Sequence, residues 1–365
     1  MNLLRWLRPR PKPRLLDLAA PEVAADPFPH YEKLRAAGPV HYLPANDLWL
    51  ILGHDEVKSA FAQPEIFSNA PYAEIDNVLL AADPPAHDGA RRIVSRRFTA
   101  KGLEDLVAFA EERAASLIAP EMDAVAGYAT PLSSAVAARM VGFDDAALAD
   151  VRDALQASMS EPEPLAALIA SLDSMAPRAS LFPELAAEIG DGDARSLIRL
   201  LWLAATTTTD RVIVRCILSL VENSDLRERI AADRALLPSF VDEVLRLHPP
   251  ELMVPRLARQ SVSLGGVDIP EGAFVRLCVA CANRDPTRFE APTEIRLDRQ
   301  FRRHFAFGSG IHHCIGAPLA RRIIAAAVTP FLEPGRRLRA AEPLDSIPYY
   351  LSPTACAPMR LRIAL

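Results

Sequence analysis

Residues 304–316 read His-Phe-Ala-Phe-Gly-Ser-Gly-Ile-His-His-Cys-Ile-Gly, placing a lone thiol, Cys314, in a glycine-punctuated loop directly before a helix-forming run. A thiolate that ligates a metal needs backbone N–H groups turned toward its sulfur, and glycine lets a loop wrap that closely. Gly308, Gly310 and Gly316 offer this freedom. Pro318 sits where a first helical turn loses nothing by lacking an N–H. Two metal chemistries fit such a loop. One is a haem iron with a single axial thiolate. The other is zinc held by His312, His313 and Cys314 with the Cys-x-x-Cys of Cys278 and Cys281. Yet Cys278-Val-Ala-Cys281 ends the apolar run that begins at Phe274, has no turn residues of a zinc knuckle, and reads as a strand entering the core. Cys278, Cys281, Cys216 and Cys356 are therefore read as buried structural cysteines.

The pattern Phe307-Gly308-x-Gly310-x-His312-x-Cys314-x-Gly316, followed by Leu319-Ala320-Arg321, resembles the haem-binding loop of the cytochrome P-450 monooxygenases of the soluble bacterial type. The resemblance covers nearly the whole chain. It implies a mainly α fold with a smaller β portion around a buried haem b, with Cys314 as the iron's axial ligand. Phe307 and Gly308 would pack beside the group, and Gly316 would let the next helix approach the porphyrin. One departure is Ile323, close to where the family usually carries glutamate.

Other segments can be tested against that resemblance. In Asp83-Pro84-Pro85-Ala86-His87-x-x-x-Arg91 the prolines mark a helix start, and the i,i+4 spacing puts His87 and Arg91 on one face. Two such donors suit a carboxylate. By resemblance they hold the haem propionates together with Arg256 and His312. Glu243 and Arg246 form an i,i+3 pair before Pro249-Pro250 stops the helix, a weak signal in itself. The pair matches the family's structural Glu-x-x-Arg motif.

From Ala194 to about Asn223 there is no proline, enough for one helix of ~45 Å at 1.5 Å per residue. Thr206-Thr207-Thr208-Thr209-Asp210 lies at its middle, and threonine hydroxyls that bond one turn back bend helices. In the family's register Thr208 is the distal threonine that manages a water. Thr207 stands where an acid is usual; a hydroxyl passes a proton but holds no charge near neutral pH. Asp210 is a possible substitute. The resemblance thus implies insertion of one oxygen atom from dioxygen into a hydrophobic small molecule. Thr207 keeps open peroxide-driven, non-oxidative or purely ligand-binding chemistry.

Val78, Leu79, Leu80, Leu201, Ala204, Ala205, Leu252, Met253 and Val254 are the candidate pocket residues, nearly all apolar, favouring a substrate held by shape. No dinucleotide, flavin or iron–sulfur motif is visible, so electrons are expected from a ferredoxin and its reductase. Arg92, Arg96, Arg97 and Arg322 are candidate contacts for such an acidic partner. The stretch between Phe98 and the central helix is short for the family, implying a trimmed lid.

Composition narrows the rest. Half of the 365 residues are hydrophobic, 24% are charged, and the net charge of -5 gives no reason to invoke nucleic acid. Five cysteines without paired spacing suit a reducing cytoplasm. Thirty-two prolines against 15 glycines make a sharply punctuated helical chain. Residues 1–14, with prolines 9, 11 and 13 among basic residues, read as a disordered basic tail, too short for the ~20 apolar residues of a membrane span. The haem domain is expected over 15–365, with strands in parts of 42–53, 261–279 and 359–364.

Overall fold

The computed structural model describes residues 16–18, 20, 22–23, 26–144, 146–150, 164–300, 303–352 and 354–365. The basic tail lies outside the described residues, as does 151–163 of the segment read as a trimmed lid. Helices dominate, and the largest sheet among the described residues has five strands. Its strands run in the order Val40–Leu43, Leu48–Ile51, Phe274–Leu277, Val254–Ala258 and Phe67–Ser68. All pairings are antiparallel except the parallel one between Leu48–Ile51 and Phe274–Leu277. Leu50 and Ile51 of this sheet are wholly buried, as are Val275 and Leu277.

Strands therefore form in all three expected regions, with Arg362–Ala364 serving the last. The expected strand through Cys278 and Cys281 stops at Leu277, however. Val279–Ala282 is a helical turn, and the two cysteines are buried at 0% and 1% exposure. Cys278 lies in the core and its thiol is pushed well up by burial. The Cys281 Sγ accepts a 3.3 Å hydrogen bond from Arg35. Apolar runs of this length cannot be separated into strand and helix by periodicity alone.

The central helix is not continuous. It runs Asp191–Thr207 and Thr209–Glu222, with Thr208 (φ -94, ψ -38) between. Three successive hydroxyls donate to the carbonyl one turn back: Thr206 to Trp202 at 2.8 Å, Thr207 to Leu203 at 3.0 Å and Thr208 to Ala204 at 2.7 Å. Carbonyls that accept a side-chain proton as well as an amide tilt away from the axis, which accounts for a break at this point. The first half buries Leu197, Ile198 and Trp202 in one cluster, and the second half buries Ile213, Cys216 and Ile217 in another. Both halves are held by their own core, so the break has a fixed place.

Glu243 and Arg246 close the helix Leu237–Leu247. Arg246 is 0% exposed, and its five N–H groups are all used. Nε and Nη2 reach the two oxygens of Glu243 at 2.8 Å each; Nη1 reaches the carbonyls of Asn283 (3.1 Å) and Pro292 (2.6 Å), and Nη2 that of Glu294 (2.8 Å). Glu243 also accepts from Arg299 Nε and the Arg296 amide, at 2.9 Å each. Burial pushes its carboxyl up, but hydrogen bonds from Arg246, the Arg296 amide and Arg299 outweigh burial and hold it below the ordinary value of 4.5.

Two outcomes follow. Arg246→Ala removes one of the two buried arginines paired with Glu243, leaves the Asn283, Pro292 and Glu294 carbonyls without this donor and costs about 3–5 kcal/mol, read as a lowered denaturation midpoint. Because the folded value of Glu243 is depressed, its contribution is present above about pH 4.5 and is lost as pH falls through that lowered value. Glu243→Gln should flatten that acid limb of the stability curve.

Candidate active site

The loop that carries Cys314 is fixed at both ends. Asn283 Oδ1 accepts from the Phe305 amide at 2.7 Å, and the Cys314 amide donates to the Phe307 carbonyl at 2.9 Å. Gly308 and Gly310 adopt φ +64 and +69, the left-handed region that glycine enters freely. At Gly310 a side chain is also excluded by space, since a Cβ there would lie 2.2 Å from the Phe61 carbonyl oxygen. Gly316 differs from expectation: its φ of -82 is ordinary, and a Cβ would meet nothing closer than the Cys314 sulfur at 3.8 Å. Any demand for glycine at 316 comes from the cavity it faces, not from the backbone.

Cys314 opens onto a cavity of about 320 Å³. Its side chain is exposed to that space, yet surrounding protein penalises a thiolate and pushes the thiol above its ordinary value. The amides of Gly316 and Ala317 and the guanidiniums of Arg91 and Arg321 pull the other way. A cation at the sulfur would add to that pull. Arg321 lies 4.4 Å over the ring of Phe307.

Donors without acceptors cluster beside the loop. His87 is 1% exposed, and its ring lies 4.5 Å from that of His312, edge on. The Nε2 atoms of both are buried with no hydrogen-bond partner. Arg256, 4% exposed, donates to the neighbouring Pro255 carbonyl at 2.7 Å and otherwise stacks 5.2 Å over Phe61. Burial lowers its pKa to about 10. Burial, then His87 and Arg256, push His312 down to about 3. Buried polar groups are normally satisfied, so this convergence fits an anionic group such as a carboxylate. Arg91 is the exception among the four residues expected here, since its Nη2 donates to the His313 carbonyl at 2.8 Å and so clamps the loop.

Across the cavity, Leu201, Ala204, Ala205 and Thr208 line the wall, with Leu80 and Val254. Of the other expected pocket residues, Leu79, Leu252 and Met253 are core, and Val78 packs against core. Nothing in their local pattern separates these roles. Thr207 does not reach the cavity, nor does Asp210. Asp210 accepts from Thr130 Oγ1 at 3.1 Å, its Oδ1 is buried without a partner, and burial raises its pKa to about 6. Phe61, Tyr72, Phe98, Met140 and Glu251 also line the space and were missed. For Glu251 a signal existed, a charge between Pro249-Pro250 and the apolar Leu252-Met253-Val254.

Three of the four arginines read as partner contacts are already paired: Arg96 with Glu188 at 3.1 Å, Arg97 with Glu184 at 2.6 Å and Arg322 with Glu104 at 2.6 Å. Among the described residues no group of three or more His, Cys, Asp or Glu side chains is placed to hold a metal ion, which removes the zinc arrangement. No described helix is long and apolar enough to cross a membrane.

The family profile "Cytochrome P450" matches residues 184–334. Cytochrome P-450 144 of Mycobacterium tuberculosis is 30% identical over 349 residues, covering 82% of this chain and 80% of its own length. The chain belongs to the cytochrome P-450 family. The monooxygenase PikC of Streptomyces venezuelae is 31% identical to this P-450 over 362 residues, covering 88% of this chain and 87% of its own. Among solved structures, the substrate-free P-450 CYP150A6 of Mycobacterium marinum superposes with a TM-score of 0.83 at 26% identity, covering 96% of this chain and 98% of that one. This P-450 is accordingly a haem-thiolate oxidoreductase of the monooxygenase type.

Because Gly310 is constrained twice, Gly310→Ala is expected to lower thermal stability, with about 1–3 kcal/mol from backbone strain alone. Gly316→Ala should leave the melting temperature of the haem-free protein unchanged. Equal losses in both variants would refute this distinction.

Proposed function

We propose that this P-450 inserts one oxygen atom from dioxygen into a hydrophobic small molecule, in the cytoplasm, with electrons delivered by a separate ferredoxin and its reductase. The observation that carries the reading is the placement of Cys314 and Thr208 on one largely apolar cavity, with acceptor-free donors at its edge. Haem, when bound, supplies the redox and oxygen-activating chemistry. Cys314 would hold its iron, with the sulfur placed by the Phe307 hydrogen bond and by the amides of Gly316 and Ala317. His87, His312 and Arg256 would take the propionates, with Arg91 acting mainly on the loop. Phe307, Gly308 and Gly316 would pack against the macrocycle.

The remaining steps belong to the chain. The apolar wall excludes water and positions the substrate by shape. Thr208 Oγ1 donates to the Ala204 carbonyl, so its oxygen is left as an acceptor for a cavity water. That water would be the local proton carrier. Thr207 cannot replenish it with a charge, because its hydroxyl donates to Leu203 and lies away from the cavity. Burial raises the Asp210 pKa only to about 6, so the group is mostly ionised at pH 7, and it faces Thr130. This poor proton supply favours a second reading, in which peroxide, carrying its own protons, is the oxidant.

The deciding measurement is the ferrous–carbon monoxide difference spectrum. Wild type should show the strongly red-shifted band of a thiolate-ligated haem, and Cys314→Ser should lose it; a band retained in the variant would exclude Cys314 as ligand. Hydrogen peroxide supplied alone separates the two oxidants. Product formed from it as fast as from dioxygen and reduced ferredoxin supports the peroxide reading, whereas no product with haem intact refutes it.

A further inference from the structure

Among the described residues lining the cavity, Glu251 is the only carboxylate. Its side chain is 43% exposed where it lines the cavity, and burial raises its pKa. Oε1 accepts from Arg211 Nη1 at 3.2 Å. Arg211 is itself tied down, donating to the Pro250 carbonyl at 3.3 Å and lying 5.9 Å over the ring of Tyr350. No donor among the described residues reaches Oε2, and that oxygen is not sealed inside protein. A largely apolar wall thus presents one carboxylate whose second oxygen has no donor among the described residues.

The surroundings decide what kind of donor suits it. Arg211 also lines a second cavity of about 350 Å³, with Arg215, Arg284 and His248 and, among the described residues, no acid. Arg276 adds to the positive field acting on Glu251. A cation would have to leave water for a carboxylate that is already paired and backed by guanidiniums, which is costly. An anion would meet Glu251 directly. A neutral O–H or N–H donor avoids both penalties and gains a hydrogen bond to a charged acceptor.

We infer that Glu251 is a specificity-determining residue that selects apolar substrates bearing a neutral hydrogen-bond donor, a hydroxyl or an amide N–H. The selection works mainly by rejection, since a substrate without the donor covers Oε2 and leaves it unsatisfied. Arg211 positions the carboxylate. This inference rests on the cavity being the substrate site of the proposed monooxygenase.

The test uses two probes of equal heavy-atom count, 1-dodecanol and 1-methoxyundecane, titrated by calorimetry into haem-loaded wild type, Glu251→Gln and Glu251→Leu. Wild type is expected to prefer the alcohol by about ten-fold or more, the size of one hydrogen bond to a charged acceptor. Glu251→Gln should retain a smaller preference, and Glu251→Leu should have none. Dodecylguanidinium should bind wild type no more tightly than the alcohol. The inference is overturned if wild type shows no preference, including binding of neither probe, if the preference survives in Glu251→Leu, or if the guanidinium binds tightest. Should Glu251→Leu fail to fold, an undiminished preference in Glu251→Gln overturns it equally. Carbon monoxide spectra of each protein keep the two failures apart, because loss of the thiolate band in wild type refutes the haem assignment without altering the calorimetric comparison.

Discussion

A guanidinium with five N–H groups, buried to zero exposure, must find five acceptors or unfold its surroundings. Arg246 finds them on three separate stretches of chain: Glu243 on its own helix, the Asn283 carbonyl, and the carbonyls of Pro292 and Glu294. The consequence reaches the active site through Asn283. Its carbonyl is held by Arg246 while its side-chain oxygen holds the Phe305 amide, the first anchored residue of the cysteine loop. The position of the sulfur is therefore set at a distance by a charge that carries out no chemistry. Asp242 reinforces the arrangement, bonded to Arg321 at 2.7 Å.

Much of this was legible in the sequence where the signal was short-range and chemically specific. Cys314 with its glycines, the pairing of Glu243 with Arg246, the helix start at Pro85 and the bending threonines all depend on residues within a few positions of one another. Features built across the sequence were not. Arg322 and Glu104 are 218 positions apart, and Arg96 and Glu188 are 92 apart. Nothing in either local context announces a partner. The same holds for the cavity, whose wall draws on Phe61, Tyr72, Phe98, Met140 and Glu251. Leu252 and Met253 share the apolar character of Val254, yet they fall in a buried cluster just before the strand Val254–Ala258 begins.

The threonine run shows how a local weakness becomes a defined feature. Four β-branched residues are poor helix formers in isolation, and the hydroxyls compete for carbonyls that the helix would otherwise use. Tertiary packing overrides that tendency on either side of Thr208, since Trp202 and Ile213 are each locked into a core. Only the residue between the two halves is left to absorb the mismatch, and it lines the cavity, as does Thr209. Asp210, one step further on, is turned toward Thr130 by the same helical geometry.

The ion pairs of Arg96, Arg97 and Arg322 have a kinetic meaning. Each guanidinium is closed off by a carboxylate of its own chain, so opposite charges sit within a few ångströms of one another and their fields cancel over about one Debye length. A protein arriving at these three residues would feel little net pull from them until it was nearly in contact. So far as encounter depended on them, it would proceed at the rate of unsteered diffusion, about 10⁵–10⁶ M⁻¹s⁻¹.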